Sequence, residues 1–460
     1  MPERTPPQRA IGILAYHFYP SREVGAKRMT ALAVALKEKG ENVLVFSAFD
    51  GLGKLASDDR NLCGYEIHEV ADRPNRMLSA LVQSKAYLRK LRSRWKPEDK
   101  ATPASLSDDE FSDKTRSAMH RWLFNVLQII DEKKSWSCRA GLEIVRMGSK
   151  RQPDVIVVSG PPMSSLLAGV LAARRMRVPV VADLRDPIFG ESEQSVAGHG
   201  VPVQWGRRVI EQYILRHATV VITTSPTLRD RLQQRYPDSA DRVCCIYNGF
   251  DGEPLPARRN TNHRLMIVYA GALYLNRNPF PFLEALEDLL ANAEVDSSRI
   301  EVVFAGECER FRNVALSTWL SGRRLSRIVT IRARLDSHEL GQLYRNATLL
   351  LNFAEGQRMQ LPAKTFELLA LGREVLMLCE PDSDTANLVR GIEGVECTSS
   401  ADGVALREFL RRVYRRHVVE GTLIAPAPDE ISPFSRARQN MRFIETITSA
   451  RRRVTSLGTL

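Results

Sequence analysis

Residues 360–378 read QLPAKTFELLALGREVLML, and this stretch decides the reading of the whole chain. It divides into a loop, a short helix, a glycine turn and a buried strand. Pro362 suits a first helical turn because proline has no N–H to leave unpaired there. Lys364 and Glu367 are three apart and so share one helical face. Gly372 ends the helix, and Val375-Leu376-Met377-Leu378 is an apolar run fit for an interior parallel strand. A helix N-terminus with free N–H groups attracts anions, and a lysine there adds a full charge. A carboxylate one turn further in does not suit a phosphate, but it can accept two hydrogen bonds from a sugar diol. Phosphate donors beside a diol acceptor point to a nucleotide site. The same spacing also suits a surface Lys–Glu ion pair.

The segment LPAKTFELLALGREVL resembles the donor site of retaining GT-B glycosyltransferases of family 4 (glycosyltransferase group 1). It is closest to the branch that reads P-x-K-x-[FY]-E-x-[LM]-A-x-G. The resemblance implies that Glu367 binds the ribose hydroxyls of a nucleotide-sugar. The usual pattern has another glutamate eight residues earlier, where this chain has Met359, and Glu355 nearby is out of register.

Moving toward the N-terminus, strand-like runs alternate with helical ones. Ile11–Phe18 and Asn42–Phe49 are apolar strands around a polar loop, Pro20–Arg28, and a helix, Met29–Lys37. This is the opening of a doubly wound α/β domain, whose ligands bind at the carboxyl ends of strands. Gly25 would let a backbone approach a ligand closely, or it is a plain helix-start glycine. The loop resembles the family's acceptor-side P-P-x-x-G-x-x-R, represented here by Pro20, Gly25 and Arg28. Asp154–Ser159 and Val178–Asp186 are further strands. The second ends in Arg185-Asp186, where many relatives carry a donor-sugar histidine and this branch reads D-x-R-D. The resemblance makes Arg185 and Asp186 the candidate catalytic residues, while ion pairing among Asp183, Arg185 and Asp186 is the structural alternative. Asn248-Gly249-Phe250-Asp251 resembles the family's domain-boundary motif.

The second half repeats the pattern. Its strands are expected at Leu265–Ala270, Glu301–Ala305, Ile328–Ala333, Leu349–Phe353 and Val375–Leu378, and its helices near 280–290, 312–320, 337–346, 365–371 and 385–391. The loop Gly271–Pro279 follows the first of these strands, with Gly271 at its end and Arg277 before the next helix. Arginine grips phosphate oxygens in a bidentate fork, and the family commonly places a diphosphate-binding cation in this loop. Asp382-Ser383-Asp384 matches a metal-binding D-x-D triplet, but its place before SDTANLVRGI favours helix capping. No metal and no cofactor is expected; the nucleotide-sugar is a substrate.

Residues 71–151 form an insertion with two expected helices, Arg76–Trp95 and Lys114–Gln128, around a polar, Pro- and Ser-rich loop. The first is basic and amphipathic, with Tyr87 and Trp95. That suits either an anionic membrane surface or an ordinary solvated helix. Gly190–Val203 reads as a loop. Ser432–Ala450 is expected as a C-terminal helix and the last ten residues as a frayed tail.

With 460 residues the chain is long enough for two domains. No apolar run reaches the roughly 18 residues of a membrane span, and MPERTPPQRA does not read as a signal peptide. Seven scattered cysteines without metal spacing suggest reduced thiols in the cytoplasm. A net charge of +12 calls for anionic partners, yet no nucleic-acid-binding motif is present and no nucleic acid is expected.

The expected architecture is therefore an α/β GT-B fold, two Rossmann-like domains with parallel sheets facing each other across a cleft. Residues 1–252 are the acceptor domain, residues 253–430 the nucleotide-sugar donor domain, and residues 431–460 a helix crossing back with a tail. The implied function is retaining transfer of a sugar (hexosyl-type) from a nucleotide-diphosphate-sugar to a glycan or lipid-linked acceptor in cell-surface polysaccharide or glycoconjugate synthesis. The expected place is the cytoplasm, with a peripheral membrane contact at its inner face. A nucleotide-sugar epimerase and a non-catalytic, membrane-associated partner protein are the alternatives.

Overall fold

The computed structural model describes residues 10–21, 23–49, 65–72, 131–148, 151–188, 201–257 and 262–457. The expected helices Arg76–Trp95 and Lys114–Gln128 lie outside the described residues, as does most of the Gly190–Val203 loop. The chain divides into two compact units. One comprises Met1–Thr223, Leu232–Cys244 and Phe443–Leu460; the other comprises Thr224–Arg231 and Cys245–Arg442.

The N-terminal unit is built on a seven-stranded sheet. Its strands are β1 (Ala10–Ala15), β2 (Asn42–Phe49), β3 (Glu66–Ala71), β4 (Val155–Gly160), β5 (Val180–Leu184), β6 (Val220–Thr223) and β7 (Val243–Cys245), in the order β3-β2-β1-β4-β5-β6-β7. Pairing is parallel from β3 through β6. Strands β1, β4 and β5 are buried at every position, which is why they read as continuous apolar runs rather than alternating ones. Strand β3 (EIHEVA) is an edge strand with one buried residue, so its sequence carries little apolar signal. The strand order reverses between β1 and β4.

The C-terminal unit carries a six-stranded sheet of β8 (Leu265–Ala272), β9 (Ile300–Glu307), β12 (Val329–Arg332), β13 (Leu349–Phe353), β14 (Glu374–Leu378) and β15 (Val395–Thr398). Their order is β12-β9-β8-β13-β14-β15, all parallel. A small antiparallel hairpin, β10 (Arg310–Phe311) and β11 (Val314–Ala315), stands apart. The period-two alternation of β8 divides the core. Leu265, Ile267 and Tyr269 face one layer with Leu351, Phe353 and Leu376, while Val268 faces the other with Leu350, Val375 and Met377. Each such side chain, fully buried, contributes roughly 1.5–3 kcal/mol relative to exposure.

Several boundaries differ from those expected. The first helix runs Val24–Glu38, so the residues read as the end of a loop already form its first turns. The hairpin at 310–315 shortens the helix expected over 312–320 to Leu316–Leu320. The last helix continues to Leu457, through most of the tail expected to fray. Its Arg451 pairs with Glu41 at 2.6 Å and with Asp154 at 2.9 Å, which fixes the final turns to the N-terminal unit.

Candidate functional site

In the C-terminal unit the strand order reverses between β8 and β13. Open parallel sheets bind ligands at the carboxyl ends of the strands at such a point. Gly271 lies near the end of β8 and Gly306 near the end of β9, and they are register partners. Gly306 has φ +110°, and a Cβ there would overlap the Gly271 carbonyl oxygen, so only glycine permits this approach of the two strands.

Lys364 reaches the same place from the helix Ala363–Leu369, which follows β13. Its ammonium donates to the Ala270 carbonyl oxygen and lies 5.7 Å from the centre of the Tyr269 ring. A Cβ on Gly271 would sit 2.5 Å from Lys364 Nζ and 2.8 Å from the Tyr269 hydroxyl oxygen. The missing side chain of Gly271 is therefore the space in which these two groups meet. The Arg277 guanidinium stacks on Tyr274 at 4.4 Å, and its charge acts on both Tyr269 and Lys364. Burial, with the neighbouring Arg277 charge, pushes Lys364 down to about 8 against the pull of Glu367. Burial raises Tyr269 and Tyr344 above the ordinary phenol value, and the Glu367 carboxylate adds to the rise at Tyr344. Cys308, whose Sγ donates to the Gly271 carbonyl at 3.3 Å, is pushed up to about 12 by burial and is a neutral thiol. A lysine and a phenol thus meet at one glycine at a strand end, with the Arg277 and Glu367 charges acting on the lysine.

Gly271, Arg277, Lys364 and Glu367 come together here. Tyr269, Tyr344 and Cys308 belong to the same cluster and were missed. Tyr269 was the findable one, because it stands two residues before Gly271 and period two puts it on the same face of the strand. Pro362 is the N-cap residue, one place before the helix it was expected to enter. Met359 is buried at 7% exposure. Its carbonyl accepts from Ser225 Oγ at 2.7 Å and its sulfur lies 3.2 Å from Arg231. Glu355 is committed elsewhere, accepting from the Ser400 N–H at 2.7 Å. In the D-x-D triplet, Ser383 caps the next helix through the Ala386 N–H, and Asp384 accepts from the Thr227 hydroxyl at 2.7 Å. Among the described residues no group of three or more His, Cys, Asp or Glu could hold a metal ion.

In the N-terminal unit the residues near the β1–β4 reversal are held firmly. Arg185 donates through Nε to the Gly160 carbonyl at 3.0 Å and through Nη2 to that of Pro161 at 3.2 Å. Burial lowers its pKa, opposed by Asp183 and Asp186. A Cβ on Gly25 would lie 2.6 Å from that guanidinium, so Gly25 makes room for Arg185. Arg28 requires a correction. It lies in a helix rather than in an acceptor-side loop, is 4% exposed, and is paired with the fully buried Asp183 at 2.9 Å. Ser159 also donates to Asp183, at 2.9 Å. A buried arginine bonded in this way supports the fold and is withdrawn from acceptor binding. Of the residues foreseen in an ion pair within the Asp183–Asp186 stretch, Asp183 is paired with Arg28. Beyond β1 and β3, Tyr16 and Lys133 both donate to Asp72, at 2.6 and 2.7 Å, a further cluster that sequence patterns did not mark.

Residues 25–249 match the family model described as a glycosyl transferase 4-like domain. No curated protein matches the sequence significantly. Among solved structures, the chain is similar to Anabaena HepE in complex with UDP and glucose, with a TM-score of 0.58 at 14% identity over 96% of this chain and 100% of that one. A glycosyltransferase from Rickettsia africae superposes with a TM-score of 0.57 at 10% identity, over 96% and 98% of the two chains. The sucrose-phosphate synthase of Thermosynechococcus elongatus gives 0.55 at 13% identity, over 98% of each.

Proposed function

We propose that this chain, whose residues 25–249 match the glycosyl transferase 4-like domain, is a GT-B glycosyltransferase of the family 4, group 1 type, that its C-terminal unit binds a nucleoside-diphosphate sugar and that the protein transfers the sugar with retention of configuration. The observation that carries this reading is the meeting of Lys364 and Tyr269 at Gly271, with the Arg277 charge acting on both and Glu367 one turn from Lys364.

When the bond from the sugar to the diphosphate breaks, negative charge collects on the departing oxygen. Fixed cations in a poorly hydrated place stabilise that charge without having to reorganise. Lys364 and Arg277 are assigned this task. Glu367 accepts hydrogen bonds from the ribose diol, and the close approach of the strands at Gly271 and Gly306 lets the diphosphate lie against backbone. No metal enters this scheme.

The acceptor, a glycan or a lipid-linked sugar, is assigned to the N-terminal unit at the β1–β4 reversal. Asp186 is the acceptor-side carboxylate there, and Arg185, spent on two carbonyls, positions the loop around it. A site on the inner face of the cytoplasmic membrane, in cell-surface polysaccharide assembly, fits the net charge of +12. It also fits Trp205, 68% exposed on a helix (Val201–His217) that carries Arg207, Arg208 and Arg216. Among the described residues no helix is long and apolar enough to cross a membrane.

The test is thermal stabilisation by UDP-, GDP-, ADP- and CMP-linked sugars, with Glu367→Ala and Lys364→Ala alongside. Stabilisation by one nucleotide that disappears in both variants is the expected result. An unmoved melting temperature with every nucleotide overturns the proposal in favour of a non-catalytic partner. Turnover of a nucleotide-sugar with no acceptor present points to an epimerase instead.

A further inference from the structure

We infer that Tyr16, Asp72 and Lys133 form a binding site for a neutral sugar, in which two adjacent hydroxyls donate to Asp72 Oδ1 and accept from Lys133 Nζ. The inference rests on the glycosyl-transfer reading above and names the chemistry that would hold its acceptor.

Tyr16 follows the last residue of β1 and Asp72 the last residue of β3, so both stand at the carboxyl edge where open parallel sheets bind ligands. β1 also borders the reversal of strand order, and β2 lies between the two strands. The Tyr16 hydroxyl donates to Asp72 Oδ2 at 2.6 Å. Lys133 Nζ donates to the same oxygen at 2.7 Å and lies 4.9 Å from the centre of the Tyr16 ring. Asp72 Oδ1 accepts nothing from the described residues. An ammonium has three protons to give, and one of those on Lys133 goes to Asp72. The Lys133 and Asp72 side chains are 39% and 22% exposed.

The purely structural carboxylates of the same unit look different. Asp131 uses both oxygens, accepting from the Ser164 N–H at 2.8 Å, the Ser164 hydroxyl at 2.7 Å and the Lys133 N–H at 2.9 Å. Asp183 is fully buried, and both its oxygens accept from Arg28, one of them from Ser159 as well. Asp72 instead takes two donors on one oxygen and keeps the other for a ligand.

The cluster is fixed by its surroundings. Trp136 is fully buried, meets the Tyr16 ring edge-on with centres 4.9 Å apart, and donates to the Val70 carbonyl at 2.9 Å. Arg139 donates to the Ala71 carbonyl at 2.9 Å. Both belong to the helix Lys134–Gly148, so Lys133, one residue before it, is held against the strand that leads into Asp72. A site fixed in advance loses less entropy when it binds.

Burial disfavours the Asp72 charge, but hydrogen bonds from Lys133 and Tyr16 outweigh it and hold the pKa below the ordinary carboxylate value. Burial is likewise outweighed at Lys133 by the bond to Asp72. A carboxylate and an ammonium therefore face the ligand together. The first repels a phosphate and the second a cationic group. A diol, whose hydroxyls both give and receive, matches the pair.

The experiment is saturation-transfer NMR with the methyl glycosides of glucose, galactose, mannose and N-acetylglucosamine, on the full chain and its Asp72→Asn, Lys133→Met and Tyr16→Phe variants. The parent should bind at least one glycoside. Its dissociation constant should rise about tenfold in Asp72→Asn and in Lys133→Met, because each loses a hydrogen bond to a charged group. Tyr16→Phe should raise it less, since Asp72 keeps its charge and loses only an orienting bond. Inorganic phosphate should not displace the glycoside. Stabilisation by the nucleotide that the donor panel selects should be the same in every variant. A cluster that only tied the strand ends together would lower melting temperatures and leave glycoside affinity unchanged. Such unchanged affinity in either Asp72→Asn or Lys133→Met overturns the inference, as does a parent that binds no glycoside. Displacement by phosphate overturns it in favour of an anion site. If Asp72→Asn does not fold, Lys133→Met decides alone. None of these results touches the donor site, whose reading fails separately if no nucleotide stabilises the parent.

Discussion

At the scale of single residues, the energetics of the site centre on Lys364. In the folded chain its pKa lies near 8, below its ordinary 10.5, chiefly because burial disfavours the ammonium. Between those values the unfolded chain binds more protons than the folded one, so this group's contribution to stability rises with pH across that window. In the proposed donor site its attraction for a diphosphate should fall across the same window as the charge is lost. Thermal melts from pH 7.5 to 10 should show the parent gaining stability relative to Lys364→Met, while nucleotide affinity declines. A parent and variant that track each other across the window would show that Lys364 titrates normally. The motif made Lys364 and Glu367 visible in the sequence. The crowding that depresses Lys364 was not visible, because it depends on Arg277 and on burial beside β8.

At the scale of elements, what could be read depended on how local the determining interactions are. The helix Ser337–Asn346 agrees with its expected bounds because its start is written in four residues. Asp336 accepts from the His338 and Glu339 N–H groups, both at 2.8 Å, and Glu339 reaches back to the Asp336 N–H at 3.1 Å. Asp336→Ala should lower stability by about 1 kcal/mol, read as a lower melting temperature with nucleotide binding intact. An unchanged melting temperature would show that tertiary packing alone sets this helix. Strand β15 (VECT) and edge strand β3 are short, polar and defined by their neighbours, and both were missed. The hairpin β10–β11 overrode a helical pattern through pairing between strands of two residues each. Arg28 was misassigned for the same reason: its partner Asp183 is 155 positions away, and no window on the sequence joins them.

At the scale of the whole molecule, two parallel-sheet units each place their candidate residues near a reversal of strand order. Architecture was therefore more legible than individual contacts. The Arg28–Asp183 pair ties the first helix to β5 inside the N-terminal unit, and both side chains are buried. Asp183→Asn leaves a buried guanidinium without its counter-charge and should cost roughly 3–5 kcal/mol in denaturant unfolding. Replacing both residues by apolar ones of similar volume should recover much of the loss. A single variant as stable as the parent would show that water reaches Arg28.

The division of the chain bears on any attempt to dissect it. The backbone passes from one unit to the other at 223/224, 231/232, 244/245 and 442/443. Ser225 and Thr227 belong to the C-terminal unit, where they donate to the Met359 carbonyl and the Asp384 carboxylate. A protein engineer who cut once, near residue 252, would put those two donors on the wrong fragment. The C-terminal fragment would lack the donors that Met359 and Asp384, beside the helices that follow β13 and β14, accept from. Chimaeras that exchange the C-terminal unit between relatives should therefore carry residues 224–231 along with 245–442, as a graft in two pieces.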